Sequence, residues 1–336
     1  MRFLKSVRPI LRSFLTDPDF PRSTHKQYGT RILLEQGYSM PGKVNVWILA
    51  ARPKTLWAAV SPVLIGIAIA IRADVVHPTA AALTVAAAML IQTGTNYYND
   101  YKDFVGGADT SSRKGPTRAV QAGLVTPAAM KRATVFAFSL AVVAGLYLMI
   151  RGGWPIVLIG VSSILFGVLY TAGKYSLANL GLADVFVFIF FGPVAVAGTY
   201  FVQALDWPIE AWLIGIAPGV LSVAILLVNN IRDMDEDRDH QKMTTVVRFG
   251  RKFGYFAYVS CIFLAAATPV LLFFLMGAPI WSMAAALILP ISIPTIKTLI
   301  TTSELEMEKL NPVLAATGRL LLFYSLFFSI GWVASP

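Results

Sequence analysis

The chain has 336 residues, of which 56% are hydrophobic and only 14% are charged. Soluble domains typically carry about 25% charged residues, so this composition excludes an ordinary soluble protein and predicts an integral membrane protein. The Lys and Arg residues behind the net charge of +10 lie almost entirely outside the apolar runs, which indicates membrane topology rather than nucleic-acid binding, and the single cysteine, Cys261, excludes an intrachain disulfide.

Residues 1–44 form a separate basic segment. In "MRFLKSVRPILRSFLTD", residues 1–17, basic residues are mixed with large apolar ones. This pattern fits an amphipathic helix that lies on an anionic membrane surface. A mobile extension fits the same composition, and both interpretations stay open. Residues 45–336 are predicted to form one transmembrane domain.

Nine apolar runs follow, each close to the length that crosses a bilayer as a helix. We expect helices because every backbone polar group in lipid must be paired internally. With the N-terminus in the cytoplasm, every Lys and Arg except Arg72 and Arg151 falls on the cytoplasmic side. Nine spans then place the C-terminus outside. The runs are 56–71, 79–98, 133–150, 154–172, 182–202, 212–229, 253–274, 281–300 and 320–333.

Two long charged loops, 99–132 and 230–252, follow the second and the sixth run. The two loops begin alike, because "NYYND" (96–100) and "NNIRD" (229–233) each place Asn and Asp four residues apart. Since these positions are four spans apart, they suggest an internal duplication of four-helix units with a ninth helix added.

The first loop begins with an acidic cluster. If the second run stays helical beyond its apolar part, Asn96, Asp100 and Asp103 fall on one helix face at i, i+4 and i+7. The glycine pair 106–107 then allows a turn, after which Asp109 returns toward the same place.

The second loop repeats this arrangement with Asn229, Asp233 and Asp237 at i, i+4 and i+8. Carboxylates this close repel one another unless a cation lies between them. Oxygen ligands without thiols indicate Mg²⁺ or Mn²⁺ rather than zinc, and Mg²⁺ commonly shares a phosphate ligand. The sequence therefore predicts a metal-dependent diphosphate site; two solvated loops whose acids cap helices are the alternative.

Basic residues follow both clusters. Arg118, Lys242 and Arg248 are predicted to neutralise phosphate oxygens. Lys54, at the start of the first run, would contact an acceptor carboxylate or extend to lipid headgroups. Asp184 lies just inside an apolar run, where an acid needs a partner, and we predict a functional role over simple charge balance. The remaining bases of the two loops are predicted to be topological anchors: Arg113, Lys114, Lys131, Arg132, Arg251 and Lys252.

The two aspartate clusters resemble the motifs of the UbiA superfamily of intramembrane prenyltransferases. Residues 46–333 share this resemblance. Within the superfamily they are most similar to the branch that prenylates 1,4-dihydroxy-2-naphthoate. Four stretches carry that closer likeness: "RPKTLWAAVSPVLIG" (52–66), "GPTRAVQAGLVTP" (115–127), "GLADVFVFIFFGPVAVAGTYFVQ" (181–203) and "NNIRDMDEDRDHQKMTTVVRFG" (229–250).

The resemblance implies an all-α bundle of nine transmembrane helices around a central cavity, in the cell inner membrane, with the active site facing the cytoplasm. It implies two Mg²⁺ ions that bridge a polyprenyl diphosphate, and transfer of the prenyl group to the naphthoate ring with loss of CO₂, which gives demethylmenaquinone for menaquinone biosynthesis. The implied metal ligands are Asn96, Asp100, Asp103, Asp109, Asp233 and Asp237. The implied catalytic and substrate-binding residues are these aspartates with Asp184, Asn99, Arg118, Tyr170, Lys174, Lys242 and Arg248.

Other functions remain open at this level. A prenyltransferase of this superfamily with a different acceptor is one alternative; that acceptor would be 4-hydroxybenzoate, homogentisate or the hydroxyl of a glycerol phosphate. A transporter also combines repeats with intramembrane charge, but its charged site usually lies near the bilayer midplane, whereas these acids gather at one face. A scaffold for other quinone enzymes would need no paired acid clusters. No pattern indicates the prenyl chain length or an oligomeric state.

Overall fold

A computed structural model describes residues 43–107, 115–116, 118–171 and 176–336. Most of these residues are helical, and none of them lies in a β-strand. Nearly all of the N-terminal segment, together with the predicted site residues Asp109 and Lys174, lies outside the described residues. The division of the chain into residues 1–44 and 45–336 therefore stays a prediction.

Fourteen α-helices and two 3-10 helices make up the described chain. The α-helices are α1 Lys43–Ala51, α2 Pro53–Arg72, α3 Pro78–Val105, α4 Pro127–Gly152, α5 Trp154–Leu169, α6 Leu177–Leu180, α7 Ala183–Phe190, α8 Pro193–Ala204, α9 Ile209–Ile214, α10 Ile216–Asp239, α11 Thr245–Phe249, α12 Arg251–Met276, α13 Ile288–Thr301 and α14 Leu310–Ala334. The 3-10 helices are Ile280–Leu287 and Glu304–Lys309.

Each of the nine predicted runs coincides with one helix or with two consecutive helices. Of the described segments, seven are long and apolar enough to cross a membrane: Pro53–Arg72, Pro127–Gly152, Ala183–Ala204, Ile209–Asp239, Arg251–Met276, Ile280–Thr301 and Glu304–Ala334. Helix α3 is not among them because polar residues fill its second half, and α5 has only 16 residues. A multi-pass, all-helical membrane protein is confirmed, while nine spans and the orientation of the termini stay predictions.

Helix α3 continues well beyond its apolar part. His77 caps its start, because the side chain accepts a hydrogen bond from the backbone N–H of Ala80, and Pro78 occupies the first helical position. The helix ends at Val105 with Gly106 as its C-cap, and Gly107 adopts the left-handed region with φ of 72°. The predicted helical continuation and glycine turn are both confirmed.

Helix α10 lies at the centre of the bundle. It packs against α12, α14, α7 and α2, and most of its residues are buried. Helix α3 packs mainly against α4 and α2, with α5 beside it. Both α3 and α10 finish at the same end of the bundle, which we call the acidic end because their aspartates meet there.

Close helix packing in this bundle depends on small residues, as expected where lipid weakens the hydrophobic drive between helices. Gly66 of α2 faces Thr199 of α8, where an added Cβ would lie 2.6 Å from the Thr199 Cβ. Gly331 of α14 faces the backbone of Trp281, so an added Cβ would collide with a carbonyl oxygen. The two glycines therefore allow α2 to pack closely against α8, and α14 against the 3-10 helix Ile280–Leu287.

Replacement of Gly331 by Ala is expected to destabilise the protein by about 1–3 kcal/mol, since the backbone at Trp281 must shift to admit the methyl group. The measurement is the midpoint of thermal unfolding in detergent. Gly145→Ala is the matched control, because its added Cβ would lie 3.7 Å from its nearest neighbour, the Met149 Cε. Equal midpoints for the two variants would contradict the expectation.

Candidate active site

A cavity of about 870 Å³ lies between α2, α3, α4, α5, α7, α8 and α10. At the acidic end its wall is polar and charged, and further in it is apolar. The cavity wall includes both Asp103 and Thr84 of α3, which at 1.5 Å per residue corresponds to about 28 Å along the helix. One end of the cavity is therefore suited to a charged group and the remainder to a long hydrocarbon chain.

Asp103 marks the α3 side of the polar end. Its side chain is buried and pairs with Arg118, which also lines the cavity. Nη1 of Arg118 donates a second hydrogen bond to the backbone oxygen of Asn99 at 3.1 Å. The Asn99 side chain also lines the cavity and accepts a hydrogen bond from Oγ1 of Thr171 at 2.5 Å. The predicted residues Asn99, Asp103 and Arg118 thus come together.

Asp100 holds the loop that presents Arg118. Its two carboxylate oxygens accept hydrogen bonds from the backbone N–H groups of Ala119 and Val120 at 3.0 and 3.3 Å. Asp100 is 1% exposed and is not among the described residues that line the cavity. In this arrangement its carboxylate stabilises the backbone of residues 118–120.

Asn96 holds the junction between α1 and α2. Nδ2 of Asn96 donates to the backbone oxygen of Ala51 at 2.8 Å and to Oγ1 of Thr55 at 3.0 Å. Arg52, between those two residues, adopts a left-handed backbone with φ of 53° and lines the cavity. Sequence reasoning missed Arg52. Its position before Pro53 was the available signal, because a residue that precedes proline is disfavoured in a helix.

The α10 side of the polar end is built around Asp233 and Asp237, which both line the cavity. Nε and Nη2 of Arg232 donate to the two carboxylate oxygens of Asp233 at 2.7 and 2.6 Å. Nζ of Lys242, also in the cavity wall, lies 3.9 Å from Oδ1 of Asp237. Arg232 was missed at the level of sequence, where it counted only as one of the positive charges of the 230–252 loop.

Besides Asp100, three predicted residues lie away from the cavity wall. Asp184 accepts a hydrogen bond from Oγ1 of Thr245 at 2.6 Å and so ties α7 to α11. Arg248 is exposed and donates to the backbone oxygens of Met243 and Leu180, and Lys54 is exposed at the start of α2. None of the three is among the described cavity-lining residues, whereas Tyr170 is. Their functional roles stay predictions.

The polar end fits Mg²⁺ held together with phosphate. Within the described part of the chain, no group of three or more His, Cys, Asp and Glu side chains could hold a metal ion alone. Mg²⁺ does not require such a group, because it usually takes one or two carboxylates and completes its coordination with phosphates and water. Asp103, Asp233 and Asp237 supply oxygen donors to one cavity, and the neighbouring cations would balance a diphosphate.

The apolar part of the cavity carries an aromatic cluster. The ring centroids of Phe166 and Phe186 are 4.4 Å apart, and those of Phe166 and Phe190 are 5.1 Å apart. All three side chains belong to the cavity wall. Small residues such as Gly160 and Gly198 leave room beyond this cluster. The arrangement suits an unsaturated hydrocarbon chain whose charged head lies at the acidic end.

Comparison with known sequences supports this picture. Residues 59–309 match the UbiA prenyltransferase family. The chain is 36% identical to the 1,4-dihydroxy-2-naphthoate octaprenyltransferase of Mycobacterium tuberculosis, over 83% of this chain and 94% of that one. It is 30% identical to the Escherichia coli protein of the same name, over 86% of this chain and 95% of that one.

Solved structures share the fold. A UbiA homologue from Archaeoglobus fulgidus bound to DMAPP and Mg²⁺ superposes with a TM-score of 0.60 at 12% identity, covering 84% of this chain and 99% of that one. A digeranylgeranylglyceryl phosphate synthase superposes with a TM-score of 0.56 at 16% identity, covering 87% and 99%. At these identities the likeness establishes the arrangement of helices and nothing finer.

Proposed function

This chain belongs to the UbiA prenyltransferase family, and we propose that it transfers a polyprenyl group from polyprenyl diphosphate to 1,4-dihydroxy-2-naphthoate with loss of CO₂. The product would be demethylmenaquinone in its reduced, quinol form, because the dihydroxynaphthoate ring is already a hydroquinone and the transfer does not oxidise it. This is a step of menaquinone biosynthesis. One observation carries the proposal: a long apolar cavity ends in four carboxylates, those of Asp103, Asp233, Glu236 and Asp237, and several cations, as a prenyl diphosphate requires. The relatives named naphthoate octaprenyltransferases support the choice of acceptor.

The polar residues would bind the diphosphate. Asp103, Asp233 and Asp237 would hold the Mg²⁺ ions, of which we propose two. Asn96, Asp100 and Asp109 would be further ligands. Bound Mg²⁺ supplies positive charge that stabilises the departing diphosphate. Arg118 and Lys242 would exchange their carboxylate partners for phosphate oxygens.

The acceptor ring would attack the prenyl carbon at the border of the polar and apolar parts. The bond from that carbon to the diphosphate oxygen breaks, a new bond forms to the ring, and the ring releases its carboxylate as CO₂. Tyr170 and Phe166 lie in the cavity wall, where their rings can face positive charge that develops on the prenyl carbon. Burial of the reacting carbon excludes competing water.

We further propose nine transmembrane spans in the inner membrane, with the N-terminus in the cytoplasm and the C-terminus outside. The acidic end would then face the cytoplasm, where the water-soluble head of the donor and the acceptor are accessible. The strong bias of Lys and Arg toward one side supports this orientation.

The direct test uses protein purified in detergent, a polyprenyl diphosphate, 1,4-dihydroxy-2-naphthoate, and either Mg²⁺ or a chelator. We expect prenylated product and CO₂ in equal amounts with Mg²⁺, and neither with the chelator. Metal-dependent product from 4-hydroxybenzoate or homogentisate alone would retain the prenyltransferase and reject the naphthoate acceptor. Folded protein without product from any acceptor would reject the proposed activity.

The apolar cavity also predicts control of the donor length. Gly160 of α5 lines the cavity, and an added Cβ would meet no atom within 4 Å. Gly160→Leu should therefore occupy space that a long chain needs, and lower kcat/KM for a long polyprenyl diphosphate by about tenfold relative to a short one. The measurement is the ratio of kcat/KM for the long diphosphate to kcat/KM for the short one, with both values determined on the same preparation. A ratio equal to that of the unsubstituted protein would contradict this use of the cavity.

A further inference from the structure

Arg232 is among the most completely buried large side chains of the described residues, with 1% exposure. All three of its nitrogen atoms make hydrogen bonds. Besides the two bonds to Asp233, Nη2 donates to Oδ1 of Asn229 at 2.6 Å and Nη1 donates to Oδ1 of Asn311 at 2.7 Å. Four of the five guanidinium N–H groups are therefore occupied by protein atoms.

The contact between Arg232 and Asp233 is not a default of helix geometry. Adjacent residues on a helix do not face one another, so a side-on pair between positions 232 and 233 requires an outside anchor. Asn311 supplies one from α14, and Asn229 supplies another from the preceding turn of α10. Asn311 of α14 thus helps to hold the Arg232 guanidinium in place, and the guanidinium in turn holds the Asp233 carboxylate.

Arg232 lies behind the cavity wall. Asp233 and Asn229 line the cavity, and Arg232 is not among the described residues that do. A carboxylate has about four lone-pair sites, and the guanidinium takes two of them on Asp233. The remaining sites are left for a ligand in the cavity.

The carboxylates of Asp103 and Asp237, which also line the cavity, differ in this respect. Their partners, Arg118 and Lys242, themselves line the cavity, and the Lys242 side chain is 25% exposed. These cations can therefore leave Asp103 and Asp237 for a phosphate, whereas Arg232 has neither the space nor a spare edge to do so. Of the three described ion pairs at Asp103, Asp233 and Asp237, the Arg232–Asp233 pair is therefore the one built to persist when substrate binds.

We infer that Arg232 is a positioning residue, held by Asn229 and Asn311, that fixes the Asp233 carboxylate in the orientation in which it receives a divalent cation. The inference rests on the proposed function, since it takes Asp233 to be a metal ligand. The guanidinium does not touch substrate. It orients the carboxylate and balances its negative charge when no metal is bound. Residues that hydrogen-bond to metal ligands from outside the coordination sphere commonly have this role.

The experiment follows Mn²⁺ binding by electron paramagnetic resonance in the presence of inorganic diphosphate, with folding checked by thermal unfolding. Arg232→Lys keeps the charge but cannot make the side-on pair, and Arg232→Met removes the charge. We expect Mn²⁺ to bind about tenfold or more weakly in both, and Asn311→Ala to shift binding in the same direction by less. The Mg²⁺ concentration for half-maximal turnover should rise in parallel.

Arg251→Lys is the matched control, because Arg251 pairs α10 with the 3-10 helix Glu304–Lys309 through Asp235 and Glu304, away from the cavity. Its Mn²⁺ binding should be unaltered. Unchanged Mn²⁺ binding in folded Arg232→Lys, Arg232→Met and Asn311→Ala would overturn the inference and leave Arg232 a purely structural residue. Failure of the unsubstituted protein to bind Mn²⁺ with diphosphate would overturn the proposed function itself, and this inference with it.

Discussion

Asp233→Asn is expected to lower kcat/KM for prenyl transfer by about 10³-fold. The substitution keeps the size of the side chain but removes one negative charge from the cavity wall, where the cation that holds the diphosphate would bind. The asparagine oxygen can still accept a hydrogen bond from Arg232, so the surrounding contacts are largely kept. The measurement is product formation at saturating Mg²⁺, with thermal unfolding measured on the same preparation.

Asp235→Asn controls for charge on the same helix. Asp235 is two residues away, its side chain is 46% exposed, and it pairs with Arg251 outside the cavity wall. We expect its activity to stay within about twofold of the unsubstituted protein, since exposed ion pairs contribute little. Equal activity of the Asp233 and Asp235 variants would remove Asp233 from the proposed metal site.

The helical framework of the site was predictable because local rules determine it. The spacing of Asn96, Asp100 and Asp103 specifies one helix face, and the following glycines specify where that helix ends. Both features lie within about ten residues, so no distant contact is needed to infer them. The structure accordingly shows α3 continuing to Val105.

The division of labour within the acidic cluster was not predictable in the same way. Asp100 and Asp103 belong to one motif, but the Asp100 carboxylate binds backbone N–H groups of the 118–120 turn while Asp103 faces the cavity. The difference depends on where the chain returns after the turn at Gly107. Helical periodicity carries no information on that return.

Arg232 shows the same limit at longer range. Its position beside Asp233 is visible in the sequence, but its role depends on Asn311, which lies 79 residues further along. The positive-inside rule already accounts for an arginine at the end of an apolar run. The neighbouring sequence therefore does not show whether such an arginine is buried against a carboxylate or exposed at the membrane surface. Arg248 was predicted to bind phosphate together with Arg118, but its side chain is exposed. The local sequence does not distinguish these two arginines either.

Arg118→Leu is expected to lower kcat/KM for the polyprenyl diphosphate by at least about 100-fold. The side chain is buried at 8% exposure and is held between Asp103 and the backbone of Asn99, at the polar end of the cavity. Its loss removes a cation from the diphosphate and leaves Asp103 without its ion-pair partner. Both effects act on the donor, so the KM for the aromatic acceptor should change little.

The conservative variant separates charge from geometry. Arg118→Lys should recover only part of the activity, because a lysine supplies the charge without the planar fork that can bind a carboxylate or phosphate through two N–H groups. Arg132→Gln is the control, since Arg132 is exposed on α4 and outside the described cavity wall. If Arg118→Leu raised the KM for the acceptor and left that for the diphosphate unchanged, Arg118 would have to be reassigned to the acceptor. If both KM values and kcat matched those of Arg132→Gln, its pairing with Asp103 would be structural only.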